Sequence, residues 1–324
     1  MNWLTCARAG PFECAVHRVR QISCIFLAAA AVSASAQVTV VISDDSAPYR
    51  QAATAFRENF AQGNKAPLSV DTLTVAALAA QRGSALPQSD LVVTVGVAAA
   101  QAIDAMPRHG PMLSILIPKQ AFESLPCESP LSSVRRCSAI FLDQPLTRQF
   151  NLIQAALPGR KRLAIVLGPA SARLLPALRE EAANRKLTLA TREVGNFEEL
   201  YPALQSILPE ADLLWALPDS AVLNPTSARN VLVSAYRYQL PVVASSENYV
   251  KAGALVAVFS TPEQLGRQAA EIATTAIAGG KTVLPPAQYP RYFSVRTNEQ
   301  VARSLNIPVE SEQDLHTRIS GMRE

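Results

Sequence analysis

The sequence predicts an α/β protein built from two similar domains, each a parallel sheet covered by helices. Short continuous apolar runs alternate with amphipathic stretches from Val38 onward, the pattern of βαβ units. The alternation completes one set and begins again after about residue 140. With 324 residues, 49% hydrophobic and 17% charged, the chain also exceeds the roughly 250–300 residues at which a single core stops growing.

The first 36 residues read as a signal peptide rather than as fold. HRVRQ (His17 to Gln21) is a basic opening, Ile22 to Val32 a short apolar run, and Ala34-Ser35-Ala36 a cleavage site before Gln37. The apolar run is shorter than the ~20 residues a membrane span needs. The mature chain is therefore expected in the periplasm. Cys24 starts the apolar run instead of ending it, so it makes a poor lipid anchor. Removing the leader takes Cys6, Cys14 and Cys24 with it. Cys127 and Cys137 remain, an even pair in an exported chain. They are read as one disulfide closing the polar ESPLSSVRR loop, with two buried thiols as the alternative; a loop this short contributes about 3 kcal/mol in the chain-entropy model.

In the first set, VTVVIS (Val38 to Ser43) is a strand buried on both faces. A helix follows with Ala53, Phe56 and Phe60 on one face. LSVDTL and DLVVTVG are further strands, AAAQAIDAM is helical, and MLSILI (Met112 to Ile117) closes the set. The second set opens with LTRQFNLIQAALPG, a helix presenting Phe150, Ile153 and Leu157. Strands RLAIVLG, TLATREV, DLLWALP and PVVASS then alternate with helices over SARLLPALREEAANRK, FEELYPALQSIL and SARNVLVSAYRYQ. GALVAVFS is one more strand. Thr261, Pro262 and Gln264 spell the N-cap, first position and capping-box partner of a helix with Leu265, Ala269, Ile272 and Ala276 on one stripe, stopping at Gly279-Gly280. YFSVRTN is a last strand, and residues 313–324 read as a flexible tail.

The formal charge of +4 is small for this length and no basic block stands out, which argues against a nucleic-acid partner. There is no H-E-x-x-H, G-x-S-x-G, phosphate-loop or dinucleotide fingerprint, so neither a metal nor a cofactor is expected. What remains is a set of strand ends rich in small and polar residues, each opening a helix: SDDSAPY, VGVAAAQ, LGPASAR, LPDSAVL and ASSENY. Ligands of α/β sheets bind at the carboxyl ends of strands, where helix N-termini also present unpaired N–H groups. The candidate ligand contacts are Asp45, Ser46, Tyr49, Gly96, Val97, Ser171, Asp219, Ser245, Ser246 and Glu247. Asp219 and Glu247 suit a cationic amine, and Tyr49 or Tyr249 suits stacking. Each of these residues has an alternative reading as a cap or turn. Asp44, Asp45 and Glu247 are the acid–base candidates if the protein is an enzyme.

Four stretches in order carry a family resemblance: Pro241-Val242, VKAGA (Val250 to Ala254), LGRQAA (Leu265 to Ala270), and Asn298 through Pro308. Over roughly residues 140–310 the chain resembles the ABC transporter substrate-binding proteins related to tryptophan- and tyrosine-binding lipoproteins. The resemblance implies a type I periplasmic binding protein fold, two Rossmann-like lobes with parallel sheets joined by a three-segment hinge. It implies lobes over 37–140 plus 259–290 and 141–258 plus 291–312, and ligand contacts at Asp219, Ser245 and Ser246. It leaves the ligand open: where the family reads Q-x-x-x-H-P after the first strand, this chain reads SDDSAPYRQ. The expectation is a monomeric, non-enzymatic, exported protein that captures an amino-acid-like molecule or small organic anion for an ABC permease. The alternative is a sensor that signals to a membrane receptor.

Overall fold

The structure, a computed structural model, describes residues 37–63, 69–80, 89–106, 110–126, 136–219, 222, 225–278 and 282–323. The leader and Cys127 lie outside these residues. Among the described residues no helix is long and apolar enough to cross a membrane.

The first sheet contains β1 (Gln37–Ile42), β2 (Ser69–Thr74), β3 (Leu91–Val95), β4 (Met112–Ile117) and β5 (Cys137–Phe141), in the order β2-β1-β3-β4-β5. All four pairings are parallel. The strands are apolar throughout because both faces are covered. Val38, Val40, Val93 and Val95 meet Phe56 and Phe60 of α1 (Ala47–Gly63) and Leu265, Ala269 and Ala273 of α10 (Pro262–Ile277). Val41 and Val92 meet Leu78 of α2 (Val75–Ala80), Ala99 and Ile103 of α3 (Val97–Asp104) and Phe122 of α4 (Lys119–Glu123). MLSILI, expected to close the set, is followed by one more strand, β5. CSAIF is short and opens on a cysteine and a serine, so it carries little apolar signature, yet it is buried throughout. Cys137, which opens β5, is itself 2% exposed.

The second sheet holds β6 (Arg162–Leu167), β7 (Thr188–Glu193), β8 (Leu213–Trp215), β9 (Val242–Ala244), β10 (Val256–Phe259) and β11 (Ser294–Thr297), in the order β11-β10-β9-β8-β6-β7. Only β10–β11 is antiparallel. One face packs α5 (Leu146–Ala156), α6 (Leu175–Asn184), α11 (Glu299–Ser304) and α12 (Glu312–Ser320); the other packs α7 (Leu200–Ile207), α8 (Pro225–Arg237) and α9 (Glu247–Ala252). α12 corrects the expected flexible tail at 313–324. Ser311 caps it by accepting from the Asp314 N–H, and Leu315 and Ile319 are fully buried against α5 and β11. The charged residues of that segment obscured an apolar pair four apart, which is one buried stripe of a helix.

Among the described residues the chain passes between the sheets three times: from Phe141 to Leu146, from Phe259 to Pro262, and between Gln288, bridged to Ile140, and Ser294. After the second crossing Thr261 and Gln264 form a complete capping box, and α10 settles on α1. Gly266 allows that approach, since a Cβ there would stand 2.3 Å from the Ala52 carbonyl oxygen.

Candidate functional site

At the carboxyl edge of the first sheet, the Ser43 hydroxyl donates to Val95 O (3.0 Å) and accepts from the Ala99 N–H (3.1 Å). It thereby ties the end of β1 to β3 and satisfies one of the donors that the first turn of α3 leaves unpaired. Gly96 holds φ +92°, and a Cβ there would lie 2.5 Å from Ser43 Oγ and 2.8 Å from the Tyr49 ring. The half-buried Tyr49 ring therefore lies against backbone that only glycine can supply. Val97, half-buried, opens α3 beside it. Asp44, Asp45 and Ser46 form an exposed turn. Asp44 accepts from the Ser46 N–H (2.8 Å), and hydrogen bonds from Ser46 hold its carboxyl below the ordinary value. Asp45 pairs with Arg50 at 3.2 Å.

At the carboxyl edge of the second sheet, Asp219 and Ser171 are nearly sealed from solvent, 5% and 1% exposed. Asp219 Oδ2 accepts from both the Ser171 N–H and the Ser171 hydroxyl, each at 2.8 Å. The same hydroxyl accepts from the Gly168 N–H (3.0 Å), and a Cβ on Gly168 would sit 2.3 Å from Asp219 Oδ1. This carboxylate thus joins the end of β6 to the segment after β8. Trp215 is core, edge-on to Phe150 with ring centroids 4.8 Å apart. Beyond β9, Ser245 is half-buried and Ser246 caps α9 by accepting from the Tyr249 N–H at 3.3 Å. Glu247 pairs with Lys251 (3.1 Å) and Arg296 (3.0 Å). The Lys251 hydrogen bond leads the influences that hold its carboxyl below the ordinary value against a weaker desolvation. Tyr249 packs its ring into the core under α9; desolvation raises its pKa, and its buried hydroxyl has no partner among the described residues.

The two edges meet where Arg173, following β6, reaches Glu123 of α4 at 3.5 Å; Lys119 lies 3.7 Å from the same carboxylate. The predicted residues therefore form separate groups. Tyr49, Gly96 and Val97 stand together on the first edge, and Ser171 with Asp219 on the second. Ser245, Ser246 and Glu247 lie at the end of β9, and Asp45 and Ser46 in the exposed turn. Sequence reasoning missed Ser43, Glu123 and Arg173. The signal for Ser43 was its place directly after the apolar run; nothing local marks Glu123. Among the described residues, no group of three His, Cys, Asp or Glu could hold a metal.

The family model described as ABC transporter substrate binding protein matches residues 69–313, which takes in strands of both sheets and all three crossings. The chain belongs to the ABC transporter substrate-binding protein family. A comparison with curated proteins gave no match. Similar solved structures include an ABC domain in complex with L-Trp from Streptococcus pneumonia, at 17% identity and TM-score 0.61, covering 88% of this chain and 98% of that one. A ligand-free, open substrate-binding protein with adhesive properties from Clostridium difficile is similar at 17% identity and TM-score 0.67, over 86% and 97% of the two chains. A conserved domain protein from Vibrio cholerae matches at 21% identity and TM-score 0.60, over 88% and 98%. At these identities the likeness speaks for the fold, which is that of a type I periplasmic binding protein. In this substrate-binding family the paired strand edges are where a solute is expected, and the strand-end groups described above are its candidate walls.

Proposed function

We propose that the protein is an exported, monomeric solute-binding protein that captures an amino-acid-like molecule or small organic anion between the two sheet edges and presents it to an ABC permease. The family match across both lobes carries this reading. Tyr49, Val97 and Ser245 are the proposed direct contacts, since they are half-buried at the edges and their side chains are not tied up as caps or ion pairs. Ser171 and Asp219 act by fixing the shape of the second edge, and Ser246 and Glu247 by holding α9 and β11. Asp45 and Ser46 form the rim. Cys127 is the proposed disulfide partner of Cys137.

The test is a thermal-shift screen of the purified protein against amino acids and small organic anions, followed by calorimetry on any hit. A hit should bind at one site per chain, and Tyr49→Ala should weaken it at least tenfold, about 1.4 kcal/mol. A folded sample that binds nothing across both classes, or a hit indifferent to Tyr49→Ala and Ser245→Ala, overturns the assignment.

A further inference from the structure

Polar side chains are rarely buried without a reason, because an unbonded one costs free energy. Here five of them gather where the chain crosses between lobes: Gln144, Arg148, Gln149, Ser260 and Gln268, none more than 8% exposed. Their partners lie on different crossings. Arg148 on α5 donates to Gln144 Oε1 (2.7 Å) and to the Pro290 carbonyl (2.9 Å). Gln144 Nε2 donates to Ser260 Oγ (2.9 Å), and the Ser260 hydroxyl donates to the Tyr292 carbonyl (2.6 Å). Arg148 can only donate, so it fixes the Gln144 amide: oxygen toward Arg148, nitrogen toward Ser260. The result is one directional chain, guanidinium to amide to hydroxyl to carbonyl, in which each bond polarises the next. Gln144 belongs to the first crossing, Ser260 to the second, and Pro290 and Tyr292 to the third.

The anchors on either side locate the pivots. Tyr292 is held to the first lobe, its hydroxyl donating to Glu271 of α10 (2.8 Å) and its ring lying under Arg267 (4.4 Å). The next residue, Phe293, belongs to the second lobe's core and stacks under Arg148 at 4.3 Å. Gln268 of α10 likewise holds the Arg291 N–H at 2.8 Å. The third crossing therefore passes from first-lobe anchors at Arg291 and Tyr292 to the second-lobe core at Phe293, where Gln264 of α10 also donates to Phe293 O (3.2 Å) and Ser294 Oγ (3.0 Å). The second turns at Ser260, between Phe259 paired to Ser294 and the cap at Thr261.

We propose that the Ser260 hydroxyl couples the three crossings, so that the lobes rotate as a single hinge rather than bending at each strand separately. A rotation confined to one crossing would break the bonds to the other two and strand buried donors, so the permitted motion is the one that carries all three together. This rests on the two-lobe architecture and needs no ligand; failure to bind any solute would remove the transport reading and leave the coupling intact.

Hydrogen–deuterium exchange on the purified protein tests it. Ser260→Ala should speed exchange at least tenfold at Leu142 on the first crossing, at Gln149 in the first turn of α5 and at Arg291 on the third crossing, with β3 and β8 unchanged. Ser260→Thr, which keeps the hydroxyl, should restore the parent rates. Gln144→Glu keeps a partner for Arg148 but removes the donor to Ser260, freeing the hydroxyl to turn from Tyr292 to the new carboxylate. It should loosen the third crossing while circular dichroism stays that of the parent, and it carries the test if Ser260→Ala does not fold. Faster exchange confined to residues 258–262, or no change at Arg291 in either variant, overturns the proposal.

Discussion

Asp219→Ala probes whether this carboxylate belongs to the frame of the second edge. In the parent, one oxygen accepts two hydrogen bonds from Ser171, both at 2.8 Å, and both residues are buried. Truncation leaves the Ser171 N–H only its longer bond to Gly168 O, at 3.2 Å; losing a charged acceptor costs about 1.5–3 kcal/mol. The hydroxyl loses less, because Gly168 O lies 3.4 Å away and can take it over. Losing a charge-assisted bond and opening a small void beside Gly168 bring the expected total to about 2–4 kcal/mol, a large share of a native stability of about 5–15 kcal/mol. Asp219→Asn retains one acceptor oxygen for the N–H and should cost about 1 kcal/mol. Urea unfolding followed by tryptophan fluorescence reads this directly, because Trp215 sits at the end of β8, four residues before Asp219. The midpoint should fall with an unchanged slope. Two outcomes refute the reasoning: Asp219→Ala within about 0.5 kcal/mol of the parent, or Asn as damaging as Ala.

Gly266→Ala should destabilise the first lobe, since the added methyl meets the Ala52 carbonyl at 2.3 Å and the two helices must part. Overpacking of about 1–3 kcal/mol outweighs the gain of about 1 kcal/mol in helix propensity, whereas Gly159→Ala, with nothing within 4 Å, should be neutral in the same denaturation assay. Leu315→Ala should cost about 2–5 kcal/mol by leaving a cavity under α12, and a shift under about 0.5 kcal/mol would mean that this helix is not docked. Asp212 links β6 to β8. Burial, the largest single influence, pushes its carboxyl up, but hydrogen bonds from the Arg162 side chain and the Arg162 and Lys161 N–H groups together hold it at about 2. A carboxyl lowered on folding stabilises above its unfolded value and loses that contribution as pH falls through the folded one. Asp212→Asn should therefore be less stable than the parent at neutral pH, with the gap closing between about pH 4 and pH 2 in acid titration of unfolding; a pH-independent gap would exclude the linkage.

The alternation of apolar runs with helical stripes was enough to read two α/β lobes, because parallel strands covered on both faces carry their burial in their own composition. The capping box at Thr261 was equally legible, being a contact between residues three apart. β5 and α12 were not. CSAIF is buried by its neighbours rather than by its own apolarity, and α12 shows only Leu315 and Ile319 among charged residues. In the strand-end string SDDSAPY, Ser43 is less conspicuous than the acidic residues that follow it. The hydroxyl next to the strand is the group that reaches across to β3 and α3.

The site residues divide along the same line. Where a polar group's partner is near in sequence, as for Asp44 with Ser46 or Ser246 with Tyr249, the alternative of cap or turn can be weighed from the sequence alone. Where the partner is distant, it cannot. Asp219 bonds a residue 48 positions away, and Gln144 one 116 positions away. Strand ends collect small polar residues for two reasons: a ligand binds there, and the chain must leave the sheet there with its donors and acceptors satisfied. Both needs select serine, aspartate and glycine, so composition at an edge does not separate them. The separation comes from what each group touches. Asp219, Ser171, Ser246 and Glu247 bond the protein itself, and Tyr49 presents a ring held against Gly96. Recognition of a solute would then rest on the surfaces these groups hold in place and on the hinge that brings them together. Asp219 is engaged by Ser171, and Glu247 by Lys251 and Arg296, so what these carboxylates hold in place is the shape of the second edge.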